Sequence, residues 1–363
     1  MFKAEDQYLS VLKPGIKDYT EWSSPSNIAL VKYWGKRPGQ EPENPSLSFS
    51  LNESRTFTRV DYETKKDKAL SWNFLFENKD SPSFEPKLRQ FFQAVAPYIP
   101  FLYYLDLKIS SSNTFPHSAG IASSASAMSA LALCLVDIEM RILNSEIRGT
   151  DFFKKASFLA RLGSGSASRS VYPAFSVWGE TGKLPGSSDT FAVPVELPGD
   201  SFFNGLRDAI LIVSSDKKEV SSTAGHGMMK NNPYSDVRYR TAHQNLSSLL
   251  NAISGTDESE FIHITEREAL SLHGLMMTSD PGFILMKGGS IEIIQRIRKF
   301  RKETGIFITF TLDAGPNVHL LYHENDHESI KQFILKELRP FTEKHRIIWD
   351  RIGEGPRKSS SIL

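Results

Sequence analysis

The chain predicts an α+β fold in two domains with mixed or antiparallel sheets covered by helices. Three observations carry this. Strand-like and helical runs are segregated along the sequence instead of alternating, which argues against a doubly wound parallel sheet. The length, 363 residues, exceeds what one domain of roughly 150 residues would use. Near the middle, Glu196-Leu197-Pro198-Gly199-Asp200-Ser201 has turn chemistry that fits either a domain boundary or an exposed loop; taken as a boundary, it divides the chain into 1–200 and 201–363.

The elements follow in order. Partial alternation of β-branched and aromatic residues predicts strands over 26–31, 56–62, 69–76 and 103–109. Helical spacing appears over 86–98, in the small-residue apolar segment 123–143, and over 151–161, where Asp151 is suited to open the helix. Two strands, 174–178 and 190–195, close the first half. Beyond the boundary come a strand at 208–214 and helices over 235–252, 257–277 and 291–302. Strands at 305–312 and 318–322, a helix over 328–338 and a frayed tail from 358 to 363 complete the chain.

Composition narrows the function. With 43 basic and 42 acidic residues the net charge is +1, so no global field recruits nucleic acid or an anionic membrane, and an anionic ligand has to be caught locally. The single cysteine, Cys134, forms no internal disulfide and supplies no cysteine-rich metal site. Set among Ala130, Leu131, Ala132, Leu133 and Leu135, it reads as a buried small hydrophobe. The first residues show no basic-then-apolar leader, and no apolar run approaches the ~18 residues of a membrane span. A cytoplasmic protein is therefore expected. The nine histidines show no metal-ligand spacing, so structural zinc is not expected.

The most informative segment is SSSNTFPHSAGIASSASAMSALALCLVDIE, residues 110–139. A strand feeds a loop of Gly, Ala and Ser that opens a helix with small side chains in its early turns. Small residues let a phosphate approach the backbone, where free amides and the helix dipole hold it. The hydroxyls of Ser123 and Ser124 are placed to add hydrogen bonds or to reach a phosphate-bound magnesium ion. The spacing fits neither a P-loop nor a dinucleotide GxGxxG. Taken alone, it fits equally a serine-rich cap before a tightly packed core helix.

This segment resembles the GHMP kinase superfamily signature, Pro, three residues, then Gly-Leu-Gly-Ser-Ser-Ala. Here it runs Pro116, His117, Ser118, Ala119, Gly120, Ile121, Ala122, Ser123, Ser124, Ala125. Alanine at the second glycine is similar to the mevalonate diphosphate decarboxylase branch. Three further segments resemble that family: SNIALVKYWGKR (26–37), ARLGSGSASRS (160–170) and TFTLDAGPNVH (309–319). Together they span most of the chain in the family's order.

The resemblance implies a GHMP-kinase-like two-domain fold with its active site in the cleft between domains. The implied reaction is ATP- and Mg2+-dependent conversion of mevalonate 5-diphosphate to isopentenyl diphosphate, ADP, phosphate and carbon dioxide in isoprenoid biosynthesis, by a homodimer. A tertiary hydroxyl is both a weak nucleophile and a poor leaving group. Phosphorylating it cures the second fault, and a positioned carboxylate addresses the first. Asp313 is that carboxylate, since it ends an apolar strand and precedes the sharp turn Ala314-Gly315-Pro316-Asn317. The alternative for an isolated Asp here is a cap on its own turn.

Lys32, Lys36 and Arg37 place three cations within six residues. By family matching Lys32 lies near the reacting phosphoryl and hydroxyl, and Tyr33 and Lys36 on the substrate diphosphate. Arg37 reads as a solvated turn residue and Trp34 as packing. Arg169 is assigned to the substrate carboxylate, with Ser164 and Ser166 donating hydroxyls. The segment KKEVSSTAGHGMM (217–229) resembles the family's Val-Ser-Ser-Thr loop and puts Ser221 and Ser222 near the diphosphate. Asn27 and Ser46 fall in family-like segments. The candidate ATP-binding set is Ser110, Asn113, Gly120, Ala122, Ser123 and Ser124, with Ser124 on the metal side. Trp72, Asn73 and Lys108 are weaker candidates for adenine.

One departure stands out. His117 occupies a loop position that is usually small or hydroxylated in the family. It leaves open whether the substrate carries one phosphate or two. A kinase acting only on the 3-hydroxyl, a monophosphate decarboxylase and a non-catalytic ligand sensor stay open beside the main reading.

Overall fold

The computed structural model describes residues 5–116, 121–144, 149–216 and 222–359. In chain order the described elements are α1 (Glu5–Leu9), β1 (Lys17–Val31), β2 (Lys36–Arg37), β3 (Glu41–Pro42), β4 (Ser46–Thr64), β5 (Ser71–Phe76) and β6 (Lys79–Asp80). Then come α2 (Glu85–Val95), β7 (Leu105–Asn113), α3 (Ser123–Leu143), α4 (Thr150–Gly163), β8 (Phe175–Trp178) and β9 (Ala192–Pro194). The second half holds β10 (Leu206–Leu211), α5 (Ser222–Met228), α6 (Ser235–Gly255), α7 (Glu258–Met277), α8 (Gly288–Thr304), β11 (Ile308–Thr311), β12 (Val318–His323), α9 (His327–Phe333), β13 (Ile347–Arg351) and β14 (Arg357–Lys358).

One sheet runs β14-β1-β4-β7-β5-β6, with β8 on β4 and β9 on β8; a second runs β11-β12-β10-β13, and β2 pairs with β3 in a small two-stranded sheet. Only the β5–β7 pairing is parallel among the registered pairs. The architecture is α+β, as the segregated pattern predicts.

Two long strands organise the first sheet. β1 and β4 pair from Lys17↔Glu63 to Val31↔Leu47, with register shifts at Pro25/Asn27 and Ala29/Val31. Such irregularities bend a strand and re-aim its end. The parts of β1 and β4 that sequence reading did not assign as strand, 17–25 and 46–55, are rich in serine. These serines, and Ser26 beside them, are buried, and several of their hydroxyls are satisfied across the packing layer, while the Ser54 hydroxyl has no hydrogen-bond partner among the described residues. Ser24 Oγ donates to Ser129 Oγ (2.6 Å), Ser26 Oγ to the Ile121 carbonyl (2.7 Å) and Ser50 Oγ to the Tyr172 carbonyl (2.6 Å). A buried strand face built from hydrogen-bonded serines carries little hydrophobic alternation.

Helices α2, α3 and α4 cover this sheet through a core that includes Val60, Ile109, Phe91, Leu131, Leu135 and Leu159. A second core joins the two halves: Ile28, Leu30, Phe49 and Leu51 of the first sheet meet Ile210, Leu246, Leu249 and Phe261. A third packs α8 and α9 on β10–β12. At the C-terminus Lys358 pairs with Trp22 of β1, and its ammonium reaches Asp137 at 2.8 Å. The expected fraying therefore does not begin at 358; residues 360–363 lie outside the described residues. The helix expected over 328–338 is α9 followed by a π turn, Ile334–Leu338.

Cys134 is fully buried in α3, its thiol donating to the Thr58 carbonyl (3.3 Å), and burial pushes its pKa upward. No helix among the described residues is long and apolar enough to cross a membrane.

Candidate active site

The site is assembled from a strand end of each of the two larger sheets. β1 stops at Val31, and the next residue, Lys32, is 2% exposed. Its ammonium donates to the Ala29 carbonyl (2.6 Å) and to Asp313 Oδ1 (2.9 Å). Asp313 lies just past β11, in the turn to β12. That turn is pinned: Gly315 N–H donates to the Asp313 carbonyl (2.7 Å), Ser290 Oγ to the Pro316 carbonyl (2.6 Å), and Ser214 N–H to Asn317 Oδ1 (3.0 Å). Burial pulls the Lys32 pKa down. The neighbouring Asp313 carboxylate opposes that pull, and Arg169 adds to it.

Arg169 comes from a 3-10 helix, Gly165–Val171, to which the sequence reading assigned no element. It is 2% exposed and donates from Nε to Ser48 Oγ (2.8 Å) and from Nη1 to Ser46 Oγ (2.5 Å). Burial lowers its pKa to about 10, with Asp313 and Tyr33 working the other way. An uncompensated guanidinium held by two neutral hydroxyls is poised for an anion.

Lys32, Arg169 and Asp313 line one cavity of about 330 Å³. Tyr33, Lys36, Ala122, Ser124, Ser164 and Ser166 line it too, so nine predicted site residues converge there. Ser124 Oγ and Ser164 Oγ lie 3.3 Å apart, which joins the start of α3 to the Gly163–Ser166 loop. Ala122 takes a left-handed backbone (φ 36°, ψ 42°) as the residue before α3. Gly165 is required where it stands, because a Cβ there would meet the Trp178 ring at 2.6 Å and Tyr33 at 2.9 Å. The Tyr33 hydroxyl has no hydrogen-bond partner among the described residues, and burial raises its pKa. Lys36 donates to Gln40 Oε1 (3.1 Å) on the β2–β3 hairpin, and partial burial lowers its pKa.

Other predicted residues fall elsewhere. Ser110, Asn113 and Ser123 are outside the cavity lining. Asn113 instead accepts from Thr56 Oγ1 (2.8 Å) and donates its backbone N–H to Glu77 (3.0 Å). Trp72 stacks on Phe92 and donates to Glu85, and Asn73 and Lys108 are register partners of β5 and β7, away from the cavity. Asn27 is framework: its amide donates to the Ser166 carbonyl (3.1 Å) and to Ser170 Oγ (2.8 Å). Arg37 is paired with Asp189. Gly120, Ser221 and His117 lie outside the described residues, and Ser222 is the first residue of α5.

Sequence reasoning missed three polar lining residues, Lys87, Gln40 and His226, and the apolar Leu272. Lys87 sits on α2, whose amphipathic pattern makes a lysine look like a solvated face. His226 packs against Tyr33 and Trp34 (4.3 and 4.7 Å between ring centroids). Its Nδ1 accepts from Gly35 N–H (3.0 Å), which leaves Nε2 to carry the proton. It lies in the 217–229 segment, where the sequence reading singled out only the serines.

A larger cleft of about 870 Å³ lies between α7 and α8, but none of the predicted residues reaches it. Its Arg298 and Arg301 are already tied to Glu266 (2.8 and 2.7 Å). In the smaller cavity, by contrast, three cations, Lys36, Lys87 and Arg169, converge on the exposed side of Asp313. No cluster of three or more His, Cys, Asp or Glu suited to a metal occurs among the described residues. A hydroxyl such as Ser124 on the cavity wall fits a magnesium ion carried in on phosphates.

Comparison with known proteins agrees with this geometry. Residues 24–192 match the model of the diphosphomevalonate decarboxylase-like N-terminal domain, and 209–359 that of the mevalonate 5-diphosphate decarboxylase C-terminal domain. The chain belongs to the diphosphomevalonate decarboxylase family. It is 31% identical over 370 residues to the diphosphomevalonate decarboxylase of Candida albicans, covering 94% of this chain and 98% of that one. The mevalonate diphosphate decarboxylase of Staphylococcus aureus superposes with a TM-score of 0.81 at 27% identity, covering 95% and 99% of the two chains. The protein abbreviated MDDEF, solved in complex with MVAPP, AMPPCP and magnesium, gives 0.79 at 27% identity over 95% and 100%. The mevalonate diphosphate decarboxylase of Enterococcus faecalis gives 0.78 at 26% identity over 95% and 100%.

Proposed function

We propose that this chain is an ATP-dependent decarboxylase that converts mevalonate 5-diphosphate to isopentenyl diphosphate with release of ADP, phosphate and carbon dioxide. The observation that carries the reading is one carboxylate, Asp313, facing Lys32 and Arg169 across a single cavity at the start of α3.

In this reading Asp313 aligns the C3 hydroxyl and takes its proton as the hydroxyl oxygen attacks the γ-phosphorus of ATP. The bond to ADP breaks as the new one forms. Lys32 offsets the charge on the reacting oxygens and holds Asp313 in place, since little else than positioning and electrostatics is needed for phosphoryl transfer. Arg169 holds the substrate carboxylate until the C3 phosphate leaves. The electrons of the C1–C2 bond then form the alkene as carbon dioxide departs. Ser164 and Ser166 add hydroxyls beside Arg169, and Lys36 and Tyr33 bind the diphosphate, joined by Ser221 and Ser222 as the resemblance implies. Ala122, Ser123 and Ser124, with Gly120, Ser110 and Asn113, form the proposed ATP side. Magnesium, held through the phosphates and Ser124, supplies charge neutralisation to them.

The finer calls belong to the same proposal: a cytoplasmic enzyme, supported by its lone buried cysteine, a homodimer as the resemblance implies, and a division into 1–200 and 201–363. The two matched segments support that division, while β14 returns to the first sheet.

The test is incubation with ATP, magnesium and either mevalonate 5-phosphate or the 5-diphosphate, following ADP and carbon dioxide separately. Equal yields of both from the diphosphate are expected. ADP without carbon dioxide would make the chain a 3-kinase, preference for the monophosphate a monophosphate decarboxylase, and neither product a sensor.

A further inference from the structure

Lys32 follows the last registered pair of its strand, Val31↔Leu47, so its own N–H and C=O need partners other than a sheet ladder. They find them in the second half of the chain. Lys32 N–H donates to Glu268 Oε2 (2.9 Å) of α7, and the Lys32 carbonyl accepts from Arg238 Nη2 (2.8 Å) of α6, with Asn44 adding a second donor (3.0 Å). Arg238 and Glu268 are themselves a two-pronged pair, Nη1 to Oε1 at 2.7 Å and Nη2 to Oε2 at 2.8 Å. Asn245 also donates to Glu268 Oε1. Their side chains are 3% and 0% exposed.

We propose that Glu268, acting with Arg238, is a positioning residue for the reaction: it grips the Lys32 peptide from both sides and so sets where the Lys32 ammonium meets Asp313. The inference rests on the decarboxylase reading above. A buried ion pair is a poor source of stability, because apolar residues of similar volume commonly do as well or better. Its placement on the peptide of this particular lysine is what a positional role requires.

The pair also bears on charge. Burial draws the Lys32 pKa down, Asp313 and then Glu268 push it up, and Arg169 draws it down further. The other charged or titratable groups around Lys32 are Arg238 at its carbonyl, the buried Asp208–His319 pair and His273, whose Nε2 meets the Asp313 carbonyl at 3.1 Å. Burial holds the Asp208 pKa up and the His273 pKa down.

The test compares two variants with the parent enzyme. Glu268→Gln removes the charge and keeps the shape. Its kcat is expected to fall roughly 10- to 100-fold, with the basic limb of the kcat profile displaced to lower pH by about one unit and the KM for ATP unchanged. Because this variant strands Arg238, a second one, E268M/R238M, replaces both charges by apolar volume. It is expected to melt within a few degrees of the parent and still to lose kcat roughly 10-fold or more. Parent-like kcat in the double variant, or a parent-like pH limb in a folded Glu268→Gln, would overturn the inference. Absence of carbon dioxide from the parent itself would instead overturn the decarboxylase reading.

Discussion

Two buried lysine–carboxylate pairs invite comparison. Lys155 of α4 meets Glu139 of α3 at 2.6 Å, with side chains 1% and 0% exposed, and Tyr8 donates to the same carboxylate oxygen. Lys32 meets Asp313 at 2.9 Å, with side chains 2% and 30% exposed. The chemistry of the pairs is nearly the same, and each lysine is sealed. The difference lies in the carboxylate: Glu139 is closed in among helices, whereas Asp313 opens on a cavity with a second buried cation. A buried charge is therefore a poor marker of function by itself. A buried cation whose partner faces open space is a better one.

The largest effect that sharpens this contrast is on turnover. Asp313→Asn is expected to lower kcat by ~10³ while leaving ATP affinity within about threefold, measured by steady-state kinetics and nucleotide titration. Turnover near the parent's would remove Asp313 from the reaction. Arg169→Gln comes next. It takes a charge-assisted donor from the substrate carboxylate, so kcat/KM is expected to drop by ~10², with a normal value contradicting its role.

Next in size is a pH effect on the fold around the open pair. Burial, with Lys32 adding to it, drops the His273 pKa from 6.5 to about 4 despite its hydrogen bond to the Asp313 carbonyl. Burial and Lys36 take His226 to about 3. Both pKa values lie below the unfolded value, so the unfolded chain binds more protons in the interval. Stability is full above pH 6.5 and is lost as pH falls towards 4 for His273 and 3 for His226, by about 2–3 kcal/mol for each near pH 4.5. Denaturant midpoints of the parent and His273→Gln at pH 7 and 5 check this, and the variant should show the smaller drop. The smallest effect is expected at the exposed Arg37–Asp189 pair, where Arg37→Ala should change stability by less than ~1 kcal/mol.

The helices were readable because their apolar spacing is complete. α3 runs over the predicted 123–143, and α7 differs by one residue at its start. The serine-faced half of β1 was not readable, since hydrogen bonds across the layer, not hydrophobicity, hold it. β13 and β14 escaped because they are short: β13 has three apolar residues before Asp350-Arg351, and β14 is the two residues Arg357–Lys358. At the site, Lys32, Arg169 and Asp313 carried motif signals. Glu268 carried none, because its role arises from contacts between helices of the second half and a strand end of the first, and His226 was passed over inside a quoted segment for the same reason. Local sequence pattern does not encode such contacts.

Applying one substitution to both pairs gives the most direct test of access as the dividing feature: Lys32→Met and Lys155→Met, each assayed for turnover and melting temperature. The account predicts that Lys32→Met loses at least ~10² in kcat and melts close to the parent. Lys155→Met, which strands Glu139 in the interior, should melt far lower, by the equivalent of about 3–5 kcal/mol, yet turn over normally where folded. Preserved turnover in Lys32→Met, or lost turnover in folded Lys155→Met, would contradict it.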